Sequence, residues 1–132
     1  MKKFKIGILI PTLGLVDHLK IHIKSYLHFN TKFNFRVYIG YSGKKSEFVK
    51  FREDFSNLIS PKINLVYTNN WNVGRTINFL AKNAQKECEY LTMHGDDDYM
   101  FIDSLQKITQ IMSMHPEIRS MQGASITMDL YK

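Results

Sequence analysis

The sequence predicts an α/β domain with three layers, a Rossmann-like fold in which helices cover both faces of a mainly parallel β-sheet. Two observations carry this prediction. Short apolar runs alternate with amphipathic stretches along the chain, and a polar or glycine-containing loop follows most of the apolar runs. Strict alternation requires crossover connections, which make the strands parallel. Because ligands bind such sheets beyond the carboxyl ends of the strands, we expect the site in those loops.

The first half of the chain contains two predicted strands and two predicted helices. Residues 6–10 are typical of a strand buried on both faces, and the loop 11–14 follows. Asp17 can cap the first helix, which ends at residues 30–31 and has the apolar positions Val16, Leu19, Ile23, Tyr26 and Leu27. Phe35–Tyr41 is the second strand. The second helix is stopped by Pro61 and has the stripe Phe48, Phe51, Phe55, Leu58 and Ile59.

The second half repeats this alternation. Ile63–Tyr67 is the third strand, and a polar loop covers residues 68–74. The third helix has the apolar positions Ile77, Leu80, Ala81 and Ala84, and we place Cys88 in or near it. Residues 90–94 form the fourth strand, followed by an acidic loop over residues 95–99. Asp103 or Ser104 can cap a fourth helix, and residues 120–128 are predicted to be a fifth strand.

The composition indicates one globular domain spanning residues 1–132. Hydrophobic residues make up 44% of the chain, which is enough apolar surface to argue against disorder. No apolar run approaches the ~20 residues that a membrane span needs, and residues 6–10 are too short for a signal peptide. The single cysteine, Cys88, excludes an internal disulfide. It fits a reducing compartment, so we expect a cytoplasmic protein.

The net charge of +6 is compatible with nucleic acid, an anionic membrane surface or a phosphorylated ligand. The lysines are scattered, and no basic helix or ladder of aromatic and basic residues is present in the sequence. We interpret the excess charge mainly as a solvated face and expect no nucleic-acid partner.

Asp96, Asp97 and Asp98 directly follow the fourth strand and are the candidate metal ligands. Three adjacent carboxylates repel one another, and a divalent cation relieves that repulsion. Mg²⁺ and Mn²⁺ prefer carboxylate oxygens and share their other positions with water and phosphate. The alternative is a solvated acidic turn that caps the next helix. His94 is a further ligand on the first interpretation and a hydrogen-bonded structural residue on the second.

Two other loops carry candidate ligand contacts. In the loop 11–14, the backbone N–H groups and the Thr12 hydroxyl can form hydrogen bonds to a nucleotide base or ribose. An ordinary turn without a ligand explains this loop equally well. In the loop 69–75, Gly74 allows close backbone approach and Arg75 near a helix N-terminus suits an anion. Trp71 either offers a stacking face or packs against the domain. The sequence has neither a GxGxxG motif after its first strand nor a P-loop motif.

The order of these motifs resembles a known family. A strand ending in Pro11-Thr12, an Asn72-Val73-Gly74 loop opening a helix, and a strand ending in a DxD-type loop resemble the inverting glycosyltransferases of the GT-A fold, family 2 type. The resemblance covers nearly the whole chain and corresponds to the N-terminal, nucleotide-sugar-binding half of those enzymes.

The resemblance implies a nucleotide-diphosphate-sugar donor, with a UDP-sugar favoured, and Mn²⁺ or Mg²⁺ as cofactor. The residues expected to bind the donor are Pro11, Thr12, Leu13, Gly40, Tyr41, Asn72, Gly74, Arg75, Asp96 and Asp97. The metal is expected at Asp96, Asp97 and Asp98. The DxD pair is either Asp96 with Asp98, or Asp97 with Gly95 in the first position. The sequence does not identify the acceptor, which is a glycan or a lipid in this interpretation. It also leaves open whether the protein forms a homo-oligomer.

Three features depart from the family pattern. Residues 39–43 lack the aspartate that usually ends the second strand, and residues 78–80 replace an Ala-Arg-Asn motif. The sequence ends at Lys132, before the acceptor half and its catalytic base, so we expect a fragment of a longer enzyme. Asp103 and Asp129 are alternative candidates for that base, although Asp103 is better explained as a helix cap. The catalytic residues stay unknown.

Two alternatives belong to other functional classes. The first is a non-catalytic nucleotide-binding module that acts through a partner. The second is a metal-dependent phosphoryl-transfer or nuclease domain of the toprim type, which also places a DxD motif after a strand. That domain needs an acidic residue at the end of the first strand, where this sequence has Ile10 and Pro11.

Overall fold

The computed structural model describes residues 3–29 and 33–122. Over this part of the chain it contains a four-stranded parallel sheet with the strand order β3-β2-β1-β4. The strands are β1 (Phe4–Thr12), β2 (Phe35–Tyr41), β3 (Ile63–Tyr67) and β4 (Cys88–Met93). The helices are α1 (Val16–Phe29), α2 (Lys45–Asp54), α3 (Val73–Ala84) and α4 (Ile102–Met114). The predicted alternating α/β fold is confirmed.

β1 is a central strand and lies between β2 and β4. Ile6 pairs with Phe35 of β2 on one side and with Tyr90 of β4 on the other. The chain first moves outward from β1 through β2 to β3 and then returns to the opposite side of β1 as β4. The carboxyl ends of β1 and β4 therefore flank a topological switch point, where open α/β sheets bind their ligands.

Two apolar clusters cover the two faces of the sheet. One cluster joins alternate residues of β1 and β2 to apolar side chains of α1, α2 and α4; its buried members include Ile8, Ile23, Phe35, Phe51 and Leu105. The other cluster joins Leu9 and Tyr38 to Leu80 and Ala84 of α3. Three helices thus pack on one face and α3 packs on the other, which is the expected three-layer arrangement.

The approach of α3 to the sheet explains Gly40. An added Cβ at Gly40 would lie 2.6 Å from Thr76 Cγ2 and 3.2 Å from Leu80 Cδ1, both on α3. The position was predicted to contact the donor, but it is buried in β2 beneath this helix. Packing alone therefore accounts for glycine there.

Several predicted boundaries differ from the structure. Pro11 and Thr12 are the last residues of β1 and do not lie in a loop. Cys88 begins β4 and is buried in one cluster with Leu80 and Ala84 of α3, so it lies near the third helix and not in it. α2 ends at Asp54 and a 3₁₀ turn covers Ser56–Leu58, which leaves Ile59, predicted to be apolar core, 51% exposed.

The predicted helix caps were wrong. Asp17 is the second residue of α1, and Asp103 and Ser104 lie in the first turn of α4. The N-cap of α4 is Phe101, which makes no side-chain capping hydrogen bond. Acidic side chains in a first helical turn still interact favourably with the helix dipole. Of the predicted fifth strand, residues 120–122 are not in a strand, and residues 123–128 lie outside the described residues, as does Asp129.

Candidate functional site

A hydrogen bond between Thr12 and Asp96 joins the loops at the switch point. Thr12 ends β1 and Asp96 follows β4 by three residues, although the two are 84 positions apart in the sequence. The Thr12 hydroxyl donates to Asp96 Oδ2 over 2.5 Å. Thr12 is buried and Asp96 is partly exposed, so the carboxylate lies at the mouth of the crevice. The sequence predicted both residues as ligand contacts, and the structure brings them together.

The turn after β1 orients the Thr12 hydroxyl. The backbone N–H of Gly14 donates to Thr12 Oγ1 over 2.9 Å, so the hydroxyl accepts one hydrogen bond and donates another. Gly14 has a φ of 113°, which L side chains rarely adopt, and glycine is therefore required here. Leu13, predicted to contact the donor, is 73% exposed at the tip of this turn.

Hydrogen bonds within the acidic loop hold Asp98. Its Oδ2 accepts from the backbone N–H of Gly95 over 3.0 Å, and its own N–H donates to the Gly95 carbonyl. The Asp97 side chain is exposed and turns toward Gly95, where a Cβ would lie 2.6 Å from Asp97 Oδ1. Within residues 3–29 and 33–122, no three carboxylate, imidazole or thiol groups are grouped as a metal site. Metal binding by Asp96, Asp97 and Asp98 stays a prediction.

His94 lies directly beneath the acidic loop and is buried. Its Nδ1 contacts the Gly95 carbonyl at 2.6 Å, and its Nε2 contacts the Tyr26 hydroxyl of α1 at 3.0 Å. Burial lowers the pKa of His94 below its usual value, against the opposing effect of the Gly95 carbonyl and the nearby aspartates. The imidazole is thus neutral and hydrogen-bonded on both nitrogens, as the structural interpretation of His94 requires.

The loop between β3 and α3 holds Asn72, Gly74 and Arg75. Asn72 caps α3, and its Oδ1 accepts from the Arg75 backbone N–H over 2.9 Å. The Arg75 guanidinium stacks on the Trp71 ring, with 4.5 Å between its Cζ and the ring centroid. Trp71 also meets Phe79 edge-on at 5.4 Å. Of the two interpretations of Trp71, these contacts support packing against the domain, and Arg75 covers part of the ring face that a ligand would stack on.

A buried cluster of three hydroxyls fixes this loop to the end of β2. Ser42 Oγ lies 2.8 Å from Thr68 Oγ1 and 2.7 Å from Thr76 Oγ1. Ser42 lies within residues 39–43, the stretch that lacks an aspartate, and its hydroxyl is engaged within the protein. Tyr41, also predicted to contact the donor, is 3% exposed, and its hydroxyl donates to Glu47.

The predicted site residues form two groups. Thr12 and the aspartates lie together at the ends of β1 and β4, whereas Asn72, Gly74 and Arg75 lie at the start of α3, where Thr76 packs over Gly40 of β2. Neighbouring strands are about 4.8 Å apart, so the ends of β2 and β4, on opposite sides of β1, are separated by roughly 10 Å. A single ligand that touches both groups must be extended along this edge of the sheet.

Sequence reasoning missed the residues of α1 that contact the acidic loop. Tyr26 was assigned to the apolar stripe, yet its hydroxyl contacts His94 and accepts from the Met100 backbone N–H. Ser25 hydrogen-bonds the Tyr99 hydroxyl, and the buried His22 packs edge-on against the Tyr99 ring. Burial lowers the pKa of His22, and the nearby His94 and His18 add to the effect. The only available signal was the presence of His22 within an otherwise apolar helix face.

Replacing Thr12 with valine tests the predicted metal site: we expect Mn²⁺-dependent binding of a nucleotide sugar to weaken about tenfold or more, the range for loss of a group that orients a metal ligand. Isothermal titration with a UDP-sugar and Mn²⁺ measures the effect. The control is Thr109→Val, because Thr109 is equally buried and its hydroxyl donates to the Gln106 carbonyl of α4. Equal affinity in both variants would contradict a role for the Thr12–Asp96 hydrogen bond.

No helix in the part of the chain that the structure describes is long and apolar enough to cross a membrane.

Comparison with known proteins relates the chain to one set of solved structures. No family model and no curated protein matches the sequence. The crystal structure of S. aureus TarS 1–349 superposes with a TM-score of 0.63 at 19% identity, covering 98% of this chain and 40% of that one. The crystal structure of S. aureus TarS 1–349 in complex with UDP-GlcNAc superposes with a TM-score of 0.63 at 16% identity, covering 98% of this chain and 38% of that one.

A further TarS structure superposes with a TM-score of 0.63 at 19% identity and covers 94% of this chain and 23% of that one. The chain thus spans at most about two fifths of the TarS chains that it matches. At this level of identity the similarity establishes the fold: the chain shares the α/β fold of part of TarS.

Proposed function

We propose that this chain is the donor-binding domain of a metal-dependent glycosyltransferase and that it binds a UDP-sugar at the carboxyl edge of its sheet. The observation that carries the proposal is the Thr12–Asp96 hydrogen bond across the switch point between β1 and β4. It assembles a polar, partly exposed site where α/β sheets bind ligands. The TarS structure with UDP-GlcNAc has the same fold over nearly the whole of this chain and supports the choice of donor.

The acidic loop has the donor chemistry for Mn²⁺ or Mg²⁺, since both cations prefer carboxylate oxygens. Thr12 engages Oδ2 of Asp96, and the Gly95 N–H engages Oδ2 of Asp98. We assign the remaining oxygen of each group, together with Asp97, to the cation. A cation there stabilises negative charge on the leaving diphosphate when bound.

Arg75 is the proposed contact for the diphosphate or for the nucleoside end of the donor. It is exposed at the start of α3, where the helix N-terminus also favours an anion. Its separation from the acidic loop suits an extended ligand such as a nucleotide-diphosphate sugar. The net charge of +6 favours a negatively charged ligand such as this one. Transfer to a glycan or lipid acceptor is proposed for a longer protein that contains this domain.

A thermal-shift panel of nucleotide sugars, each with and without Mn²⁺, tests the proposal. A ligand that binds only the folded state raises the free energy of unfolding by about 2.7 kcal/mol at a hundredfold excess over its Kd. We expect UDP-sugars to raise the melting temperature only when Mn²⁺ is present, and GDP-sugars to have a smaller effect. If neither class shifts the melting temperature in the presence of Mn²⁺ at millimolar concentration, the proposal is wrong.

Replacing Arg75 with alanine is expected to weaken UDP-GlcNAc binding by about 1–3 kcal/mol, the range for a hydrogen bond to a charged group. Titration of UDP against UDP-GlcNAc tests whether the loss is shared by both ligands, as a diphosphate contact requires. Arg52→Ala is the matched control, because Arg52 is exposed on α2 and contributes the same charge. Equal affinity in both variants would assign Arg75 only to packing on Trp71.

A further inference from the structure

Both ends of the acidic loop are attached to one buried hydroxyl. Tyr26 of α1 is fully buried, and its hydroxyl contacts His94 Nε2 at 3.0 Å where the loop begins. The same hydroxyl accepts from the Met100 backbone N–H over 3.2 Å where the loop ends. The three aspartates lie between these two attachment points. The separation of the loop ends is therefore set by a residue that is 68 positions from His94 in the sequence.

The directions of these hydrogen bonds follow from their partners. The Gly95 carbonyl can only accept, so its 2.6 Å contact with His94 Nδ1 places the imidazole proton on Nδ1. In this tautomer Nε2 is an acceptor, and the Tyr26 hydroxyl donates to it. Because the hydroxyl also accepts from Met100, the hydrogen bonds run in one direction from Met100 through Tyr26 and His94 to Gly95. This arrangement selects a single tautomer of His94.

Further contacts fix the same loop to α1. The Tyr99 hydroxyl hydrogen-bonds Ser25, and its ring lies 6.0 Å from the Tyr26 ring and 5.4 Å from the His22 ring. His22 is 7% exposed, and its Nδ1 has no hydrogen-bond partner in the structure. The packing of His22 therefore holds Tyr99 through ring contact. The Tyr26 hydroxyl, in contrast, acts on the loop backbone through hydrogen bonds at two points.

The structure assigns Tyr26 as the positioning residue of the acidic loop: its hydroxyl, through His94 and Met100, holds Asp96 and Asp98 where the cation and the diphosphate bind. This assignment rests on the proposed function of the loop. Tyr26 does not itself reach the ligand, since it is fully buried beneath the loop. Its contribution is to preorganise the carboxylates, which lowers the cost of ordering them when the cation binds.

Tyr26→Phe tests the assignment, because it removes the hydroxyl and keeps the buried ring. We expect the Kd for UDP-GlcNAc in Mn²⁺ to rise 10- to 100-fold, the range for loss of a group that orients metal ligands. The matched control is Tyr38→Phe. Tyr38 is also fully buried, but its hydroxyl contacts Glu87 and Cys88 beside the α3 face of the sheet. We expect both variants to lose comparable thermal stability and only Tyr26→Phe to lose affinity. Equal affinities in the two variants would overturn the assignment.

The nitrogen chemical shifts of the His94 ring give a second readout that does not depend on donor binding. They distinguish the two neutral tautomers, and the signals are assigned by their loss in His94→Asn. We expect one tautomer, protonated on Nδ1, in the unmodified chain and in Tyr38→Phe, and a mixture in Tyr26→Phe. An unchanged His94 spectrum in Tyr26→Phe would overturn the assignment. If the spectrum changes as expected but the unmodified chain binds no UDP-sugar, the proposed function fails while the Tyr26–His94 hydrogen bond stands.

Discussion

Replacing Asp96 and Asp98 together with asparagine is expected to abolish Mn²⁺-dependent binding of UDP-GlcNAc and to leave the domain folded. Asparagine keeps an oxygen that can accept from Thr12 and from the Gly95 N–H, so both hydrogen bonds of the loop survive. The two negative charges proposed to attract the cation are lost. We expect the affinity to fall by more than about 100-fold, or about 2.7 kcal/mol, the largest functional effect of any substitution considered for this chain.

The measurement is titration of each variant with UDP-GlcNAc at fixed Mn²⁺, alongside circular dichroism to confirm the fold. Single substitutions distinguish the two DxD registers: if Asp96 and Asp98 form the pair, each single change lowers affinity more than Asp97→Asn does. Glu53→Gln is the control, since Glu53 is an exposed carboxylate on α2. Full binding by the double variant would exclude the acidic loop from the site.

The second large effect concerns stability. We expect Gly40→Val to lower the free energy of unfolding by about 3 kcal/mol, at the upper end of the cost of overpacking a core. The new Cβ would lie 2.6 Å from Thr76 Cγ2, so α3 must move away from the sheet. Thr76 also belongs to the hydroxyl cluster with Ser42, and this movement strains those hydrogen bonds. For a domain of this size the melting temperature should fall by about 10 °C, which calorimetry measures.

Gly74→Ala is the matched control for that experiment. At Gly74 an added Cβ meets only Asn72 Oδ1, at 3.7 Å, and the position is exposed in the first turn of α3. We expect unchanged stability or a gain of about 0.5–1 kcal/mol, because alanine is the better helix residue. Loss of UDP-GlcNAc affinity in a stable Gly74→Ala variant would show that the ligand approaches the backbone there. If the melting temperature of Gly40→Val equals that of the unmodified chain, the packing role of Gly40 is contradicted.

The sheet could be predicted closely because its strands have strong local signals. Phe35–Tyr41 and Ile63–Tyr67 were predicted to the residue, since each is a short β-branched or aromatic run bounded by polar residues. The start of β4 was predicted two residues late because the strand is half exposed: Glu89, Leu91 and Met93 face outward, so its first residues lack a continuous apolar run. The end of α2 was misplaced because Ile59 matches helical spacing in sequence, although the chain has already left the helix.

The candidate site could be predicted only in part. The position of the acidic loop followed from the order of elements, since parallel strands end at the same edge of a sheet. The pairing of Thr12 with Asp96 required the strand order, which places β4 beside β1. The role of Tyr26 had no local signal, because a buried tyrosine in a helical stripe looks the same whether its hydroxyl orients a loop or only finds a partner. Such assignments depend on contacts between residues far apart in sequence.

The central place of β1 has a consequence for how this domain is assembled during synthesis. β1 can pair with β2 once residues up to Tyr41 are available, but its contact with β4 needs the chain as far as Met93. Closing the longer loop costs about 1 kcal/mol more entropy than closing the shorter one. A sheet of β1, β2 and β3 can therefore begin to form first, with one side of β1 exposed. The crevice between β1 and β4 is complete only when β4 docks, so the ribosome must release this region before the proposed donor can bind.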